Sequence, residues 1–508
     1  MMKSPVRAVL SATLALIAAF LLNTILADAR SSYEFRRADA ATKKACNALR
    51  SQLPFGRVTN QGLGPDYLVS VQTYYSQLQA KRFPACVAYP QNAQEVSTVV
   101  KAIKANNLQF AVKAGGHQFN NWSSSDGGVL IDLQRLTAKR FDDESKQVAY
   151  FEPGNRWRDV YAYFVPQGVT PVGGRIGGVG SGLALGGGLS YLSAEHGLAC
   201  DTFTALDVVL ADGSIVKATA DNEYKDLFKS LKGGGNRFGI VTGYHTKLVP
   251  VGKVYSGIVI YTQDQWEKVI KATSDFVSTN TDKKAAIITT VDSFGILPDP
   301  TTKLNSFIIL FNVYNGADPG TTFDAFTNIP HVLDTRSTGD YIKAAEMVDI
   351  GTISQGGFYS NVVPLKVGSD REQTLVNNFK VWSKEHIGQY ILATVDYQPI
   401  AKSITDASRA AGGNALGGPE GPYIFVNMLL AFDPNLAADK QEALRASWDK
   451  LTNSIPHDED IPKFLNDAGF RQNILQSYEQ YPLMQATSRK YDPTGLFVKN
   501  QPGPNFST

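Results

Sequence analysis

Three clusters of glycine constrain this chain more than any other feature. They read KAGGHQ at residues 113–118, VGGRIGGVGSGLALGGGLS at 172–190 and KGGGNRFGIV at 232–241. The second holds nine glycines in nineteen positions. Glycine in such density weakens helices and strands, so these stretches read as loops or as places of close backbone approach. Each abuts a strand-like run: FAVKA leads into Gly115 and Gly116, and FGIV leaves the third cluster. Bare backbone N–H groups can approach phosphate oxygens closely. The strict P-loop is excluded, because no Lys-Ser/Thr follows the glycines. The dinucleotide fingerprint of strand, G-x-G-x-x-G and helix is not met either. Together the clusters suggest backbone wrapped around a long, phosphate-bearing ligand.

The rest of the pattern predicts an α+β chain. AQEVSTVVKAIKANN places Val96, Val99, Val100 and Ile103 at helical spacing. GVLIDL and QVAYFEPG read as strands, and RWRDVYAYFVPQG as a helix ended by Gly168. FTALDVVLADGSIVKA is a hairpin turning at Asp212-Gly213. After residue 253 the texture changes. YSGIVIYT, AAIITTVDS, NSFIILFNVYN, YILATVDYQ and YIFVNMLLAF are long β-rich runs separated by helical ones. They predict an antiparallel sheet covered by helices on one face. Its other face needs a partner, and the first domain is the candidate, with a site between them.

At 43% hydrophobic over 508 residues, the chain can bury substantial cores. A net charge of +2 leaves no electrostatic footprint for nucleic acid. MMKSPVR, the uncharged run Ala8 to Ala27 and the small-x-small Ala27-Asp28-Ala29 form a secretory pattern, with cleavage expected after Ala29. An uncleaved anchor is the alternative; after cleavage no segment is apolar enough to span a membrane. In an oxidising compartment Cys46, Cys86 and Cys200 leave one odd thiol. Cys46 and Cys86 are expected to pair. Asn121-Trp-Ser and Asn505-Phe-Ser are glycosylation sequons. No pair among the six histidines has metal-ligand spacing, and no G-x-S-x-G elbow supports a serine hydrolase.

The succession K-A-G-G-H, GVLIDL, SGLALGGGLSYLSAEHGLACD, VVLADGSIV, LFKSLKGGGNRFGIVT and the tail FLNDAGFRQNILQSYEQ with KYDPTGLF covers most of the mature chain. In that order it resembles the berberine bridge enzyme-like FAD-linked oxidoreductases, which carry the PCMH-type FAD-binding domain of the vanillyl alcohol oxidase superfamily. With the secretory pattern read as a signal peptide over 1–29, the resemblance implies a two-lobed FAD-binding domain over 30–252, with its PCMH-type core at about 81–252. A substrate domain follows over 253–465, and a C-terminal segment, 466–508, returns to the FAD domain. It implies FAD attached twice, through His117 to the flavin C8 methyl group and through Cys200 to flavin C6. Two electron-withdrawing attachments would raise the flavin's potential. Backbone of Ala114, Gly115, Gly116 and Gln118, and around Gly178, Ser181, Gly182, Gly186 and Gly187, would cradle the pyrophosphate. Val241 would lie near the flavin or adenine, and Asn466 near the flavin ring.

One departure bears on catalysis. Many relatives carry Asn-Tyr-Ala where this chain has Asn466-Asp467-Ala468, and that tyrosine is their usual proton acceptor. Asp467 could be the base here, or it could cap a helix beginning there. Tyr397, Gln398 and Tyr359 are further candidates; alternation puts Tyr397 and Gln398 on opposite faces of one strand. The resemblance implies a secreted oxidase: an alcohol, amine or activated C–H substrate yields a hydride, and dioxygen is the acceptor, giving hydrogen peroxide. Natural-product oxidation is the leading reading, with sugar or oligosaccharide oxidation as the alternative. A protein that keeps the flavin domain for ligand binding or non-redox cyclisation is the alternative of another class.

Overall fold

The computed structural model describes residues 39–62, 64–295, 306–348, 356–368, 370–504 and 506. The secretory pattern and the Asn505 sequon lie outside them. The described residues form one compact unit.

Three sheets build it. The first holds β1 (Val58–Asn60), β2 (Cys86–Ala88), β3 (Phe110–Lys113) and β4 (Val129–Asp132) in the order β1-β2-β4-β3. β2 and β3 run parallel to β4. The helix Ala93–Ala105 makes the crossover between β2 and β3. Its predicted stripe of Val96, Val99, Val100 and Ile103 is buried, and Asn92 caps it by accepting from Glu95 N at 2.8 Å.

The second sheet holds β5 (Lys139–Phe141), β6 (Val148–Phe151), β7 (Val169–Pro171), β8 (Phe203–Val209), β9 (Ile215–Ala218) and β10 (Ile240–Pro250). Its pairs are antiparallel, in the order β5-β6-β10-β8-β9, with β7 on the end of β10. Asp212 and Gly213 turn the β8–β9 hairpin, Gly213 at φ +84°.

The third sheet is larger. It comprises β11 (Val254–Thr262), β12 (Ala285–Phe294), β13 (Ser306–Tyr314), β14 (Leu333–Asp334), β15 (Ser337–Gly339), β16 (Gly357–Lys366), β17 (Leu392–Ile400) and β18 (Tyr423–Phe432). It is antiparallel, in the order β14-β11-β13-β12-β17-β18-β16, with β15 beside β11. The helices Trp266–Thr279, Arg371–Glu385 and Ala438–Thr452 pack on one face through Trp266, Phe379 and Trp448. Ile287, Val291, Val395, Tyr397, Val426 and Met428 of the sheet meet them in one apolar core. This is the α+β architecture the sequence predicts, with these three helices together on one face. No helix among the described residues is long and apolar enough to cross a membrane.

Cys46, on the helix Ala40–Gln52, is joined by a disulfide to Cys86 on β2, closing a separation of 40 residues. It ties the first described helix to the first sheet. Alkylation of the denatured protein is expected to add one tag before reduction, at Cys200, and three after it. Replacing Cys46 and Cys86 by serine should cost roughly 2–4 kcal/mol, read as a lower unfolding midpoint. Three tags without reduction would refute the pairing.

Candidate active site

The sheet face opposite the helices lines a cavity of about 450 Å³. Strand alternation decides which side chains reach it. On β12 these are Ile288, Thr290 and Asp292; on β17, Leu392, Thr394, Asp396 and Gln398; on β18, Asn427 and Leu429. The opposite wall is glycine backbone: Ala114 to Gly116, Gly180, Gly182, Gly186 and Gly235 all line the cavity.

These glycines are required by contact. A Cβ on Gly115 would stand 2.5 Å from the Gly180 Cα, and one on Gly180 would stand 2.5 Å from the Gly115 N. The first and second clusters therefore press backbone against backbone, which only glycine permits at these two positions. Gly116 follows at φ +67°, a left-handed conformation that suits glycine. It turns the chain so that His117 faces the cavity.

The His117 ring stacks on Tyr75, with centroids 4.1 Å apart and planes 22° apart. Burial, aided by the positive charge of Arg156, pushes its pKa down to about 4. The imidazole is therefore neutral near pH 7 and keeps a free lone pair, as a nucleophile must. A glycine-walled cavity with a neutral imidazole at its side fits FAD: the backbone can cradle phosphates, and the ring can bond the isoalloxazine.

Cys200 differs from the expectation. It does not line the cavity and is fully buried, its Sγ 4.0 Å from Asp201 Oδ1. Burial, together with Asp201, pushes its pKa up, so it stays a thiol and a poor nucleophile. Its backbone N–H donates to Gly187 O at 3.0 Å. Lys232 and Asn414 face Asp201, at 3.9 and 2.9 Å. The second flavin attachment is thus not supported by the placement of Cys200.

The other expected cofactor residues divide. Ala114, Gly115, Gly116, Gln118, Gly182, Gly186, Val241 and Asn466 line the cavity. Gly178, Ser181 and Gly187 do not. Gly178 O accepts from the Arg156 guanidinium, and Ser181 Oγ donates to Pro153 O at 3.1 Å. These two brace the loop from behind. Asn466 clamps the second cluster, its Nδ2 donating to Leu183 O at 2.9 Å and its Oδ1 accepting from Gly188 N at 3.1 Å. Asn120 pins the tail to the His117 loop, donating to Ala468 O at 2.9 Å.

Of the catalytic candidates, Asp467 and Gln398 meet in the cavity. Gln398 Nε2 donates to Asp467 Oδ2 at 2.7 Å, and Gln398 Oε1 accepts from Arg175. The amide orientation is fixed, because a guanidinium only donates and a carboxylate accepts. Burial raises the Asp467 pKa, opposed by Gln398 and Arg175. The capping alternative fails: turns, not a helix, follow Asp467. Tyr397 and Tyr359 point the other way, into the helix-side core. The Tyr397 hydroxyl donates to Glu372 O at 2.9 Å and that of Tyr359 to Asp449 Oδ1 at 2.6 Å.

Sequence reasoning missed Arg175, Asp292, Asp396, Asn427 and Tyr75. Asp396 had a signal, since it lies two residues before Gln398 and so on the same face. Burial, with the nearby Asp467 charge, pushes its pKa up to about 7.

The FAD binding domain family model matches residues 84–219. An FAD-dependent monooxygenase of Arthrobotrys oligospora is 32% identical over 438 residues, covering 82% of this chain and 81% of that protein. A bifunctional solanapyrone synthase of Alternaria solani is 32% identical over 441 residues, covering 84% and 82%. The solved structure of the wild-type BBE-like 1 protein of Physcomitrella patens superposes with a TM-score of 0.73 at 19% identity, over 92% of this chain and 100% of that one. Its agreement is one of fold; the two fungal relatives, with more than four-fifths of each chain covered, carry the assignment. The chain belongs to the FAD-dependent oxidoreductases that these two relatives represent, and it shares its fold with the BBE-like protein of Physcomitrella patens.

Proposed function

We propose that this enzyme oxidises a small organic molecule in the cavity between the glycine backbone and the third sheet, with FAD bonded to His117 alone. Bound FAD supplies the acceptor for the substrate's hydride. Asp467 takes the proton that leaves with it, and the observation that carries this role is its cavity-lining carboxylate held by Gln398 and Arg175. A carboxylate whose pKa is raised by burial is a stronger base than one in water. Gln398 fixes the carboxylate's position, and Arg175 fixes Gln398. Asn466 and the glycine wall hold the cofactor side rigid. Dioxygen, as the proposed final acceptor, takes the two electrons and two protons and leaves as hydrogen peroxide.

The apolar side chains on the open face of the third sheet suit a compact substrate of natural-product type, and the relative named a solanapyrone synthase supports that class. Export from the cell is part of the same proposal; the Cys46–Cys86 disulfide fits an oxidising compartment. The test is anaerobic mixing with panels of alcohols, amines and sugars. Substrate should bleach the visible flavin band, and admitting air should restore it with one peroxide per turnover. A compound that is converted without ever bleaching the band would overturn the redox reading.

A further inference from the structure

The third sheet carries a polar stripe that the proton acceptor leaves unused. It consists of Asp292 on β12, Asp396 on β17 and Asn427 on β18, all lining the cavity. Asp396 stands opposite Thr290 on one neighbour and opposite Asn427 on the other, and Asp292 stands opposite Thr394. Asp292 and Asp396 are therefore diagonal neighbours on one face, roughly 7–8 Å apart at the backbone.

Asn427 shows that the stripe is aimed at something. Its Nδ2 donates to Asp396 Oδ2 at 3.0 Å, while its Oδ1 is buried without a partner, the residue being 8% exposed. A buried amide oxygen left so is costly unless a donor arrives. The charges agree. The charged residues lining the cavity are Asp292, Asp396, Asp467, Arg175 and Arg237. The Arg237 guanidinium is held by the carbonyls of Val498, Gln501 and Pro502. Arg175 alone then faces three carboxyls, and a phosphate-bearing cofactor would add further negative charge. Burying carboxylates without enough cation is unfavourable, and an incoming cation would relieve it. Ile288, Ile309, Phe311, Leu392 and Leu429 flank the stripe with apolar surface.

We propose that the substrate is an apolar molecule with one basic nitrogen, seated as its ammonium on Asp396 and Asp292 with an N–H directed to Asn427 Oδ1. The proposal rests on the reading that this cavity is the substrate site.

A pH dependence follows. Asp396 has a pKa pushed up to about 7, and burial together with Asp396 raises that of Asp292. Asp467 and Arg175 face Asp396 from the tail and the glycine loop, the first raising and the second lowering its pKa. Tyr75, on the adjoining wall, is kept neutral by burial, and His117 is neutral above its pKa of about 4. An ammonium favours ionised Asp396, so its binding should tighten as pH climbs through that range.

Calorimetric titration of the holoenzyme tests this with tryptamine against tryptophol, and N-methylbenzylamine against benzyl methyl ether. Each amine should bind at least about tenfold tighter than its uncharged partner, the worth of one charge-assisted hydrogen bond. Asp396→Asn should abolish the preference. Amine affinity of the wild type should rise between about pH 6 and about pH 8, and tryptophol affinity should stay flat. That second measurement decides the matter if the variant fails to hold flavin. Equal affinities, tighter binding of the uncharged partners, or a preference untouched by Asp396→Asn would overturn the seat. The two readings fail separately. Amine preference without any flavin bleaching removes the redox reading and leaves the seat. Bleaching by alcohols without amine preference does the reverse.

Discussion

Acid denaturation of the wild-type protein is expected to leave its flavin on the polypeptide, and denaturation of His117→Ala to release all of it. His117 is the nucleophilic side chain that the first glycine cluster turns into the cavity. Its pKa of about 4 keeps the imidazole unprotonated throughout the neutral range. Tyr75 holds the ring in place by stacking at 4.1 Å. Cys200→Ser is the matched control: its thiol is fully buried beside Asp201 and does not line the cavity, and the variant should retain covalent flavin at the wild-type level. Intact mass after denaturation reads both. The effect at His117 is all or none, because no second attachment would remain. Release of flavin by the wild type would make the cofactor non-covalent. Release only from a double variant of His117 and Cys200 would restore the doubly attached reading.

The second large effect is expected at Asp467. Asp467→Asn keeps the shape of the side chain but cannot accept the substrate's proton. Flavin reduction under anaerobic conditions should slow by about 10²–10⁴-fold, the usual contribution of a positioned general base. Flavin content should not change, because the proposed cofactor side is built by Asn466 and the glycine wall, which the substitution does not touch. The pH dependence has a definite sign. A base works only when deprotonated, so the wild-type rate should fall as pH drops below the raised Asp467 pKa. The variant's residual rate should lose that limb. Asp396→Asn should act chiefly on substrate affinity. If Asp396→Asn instead stops reduction and Asp467→Asn leaves it intact, the proton acceptor is Asp396.

Part of this site was legible from residue order. Alternation on YILATVDYQ set Tyr397 and Gln398 on opposite faces, and the fold puts Gln398 in the cavity and Tyr397 under the helices. The same rule applied two residues earlier would have placed Asp396 beside Gln398. Asp467 drew attention because a carboxylate stands where a tyrosine is usual. Its capping alternative could be dismissed only by the turns that follow it. Arg175 gave little signal, being a single charge among glycines whose partner, Gln398, is 223 residues away.

Cysteine arithmetic reached the pair but not the surroundings of the third thiol. Cys46 and Cys86 were enough to suggest a pair, and a disulfide joins them. The third stood after a glycine-dense stretch, which suggested closeness to the cofactor. Closeness along the chain is not orientation. Local pattern by itself determined the strands, the helices, the covered sheet face and the need for bare backbone, because these follow from periodicities of two and 3.6 residues and from glycine's missing Cβ. Tertiary structure alone decided that Cys200 is buried outside the cavity lining, and that Asp292, Asp396 and Asp467 share one cavity. Those three carboxyls lie on separate segments, and only strand pairing and the returning tail bring them together, which no local periodicity encodes.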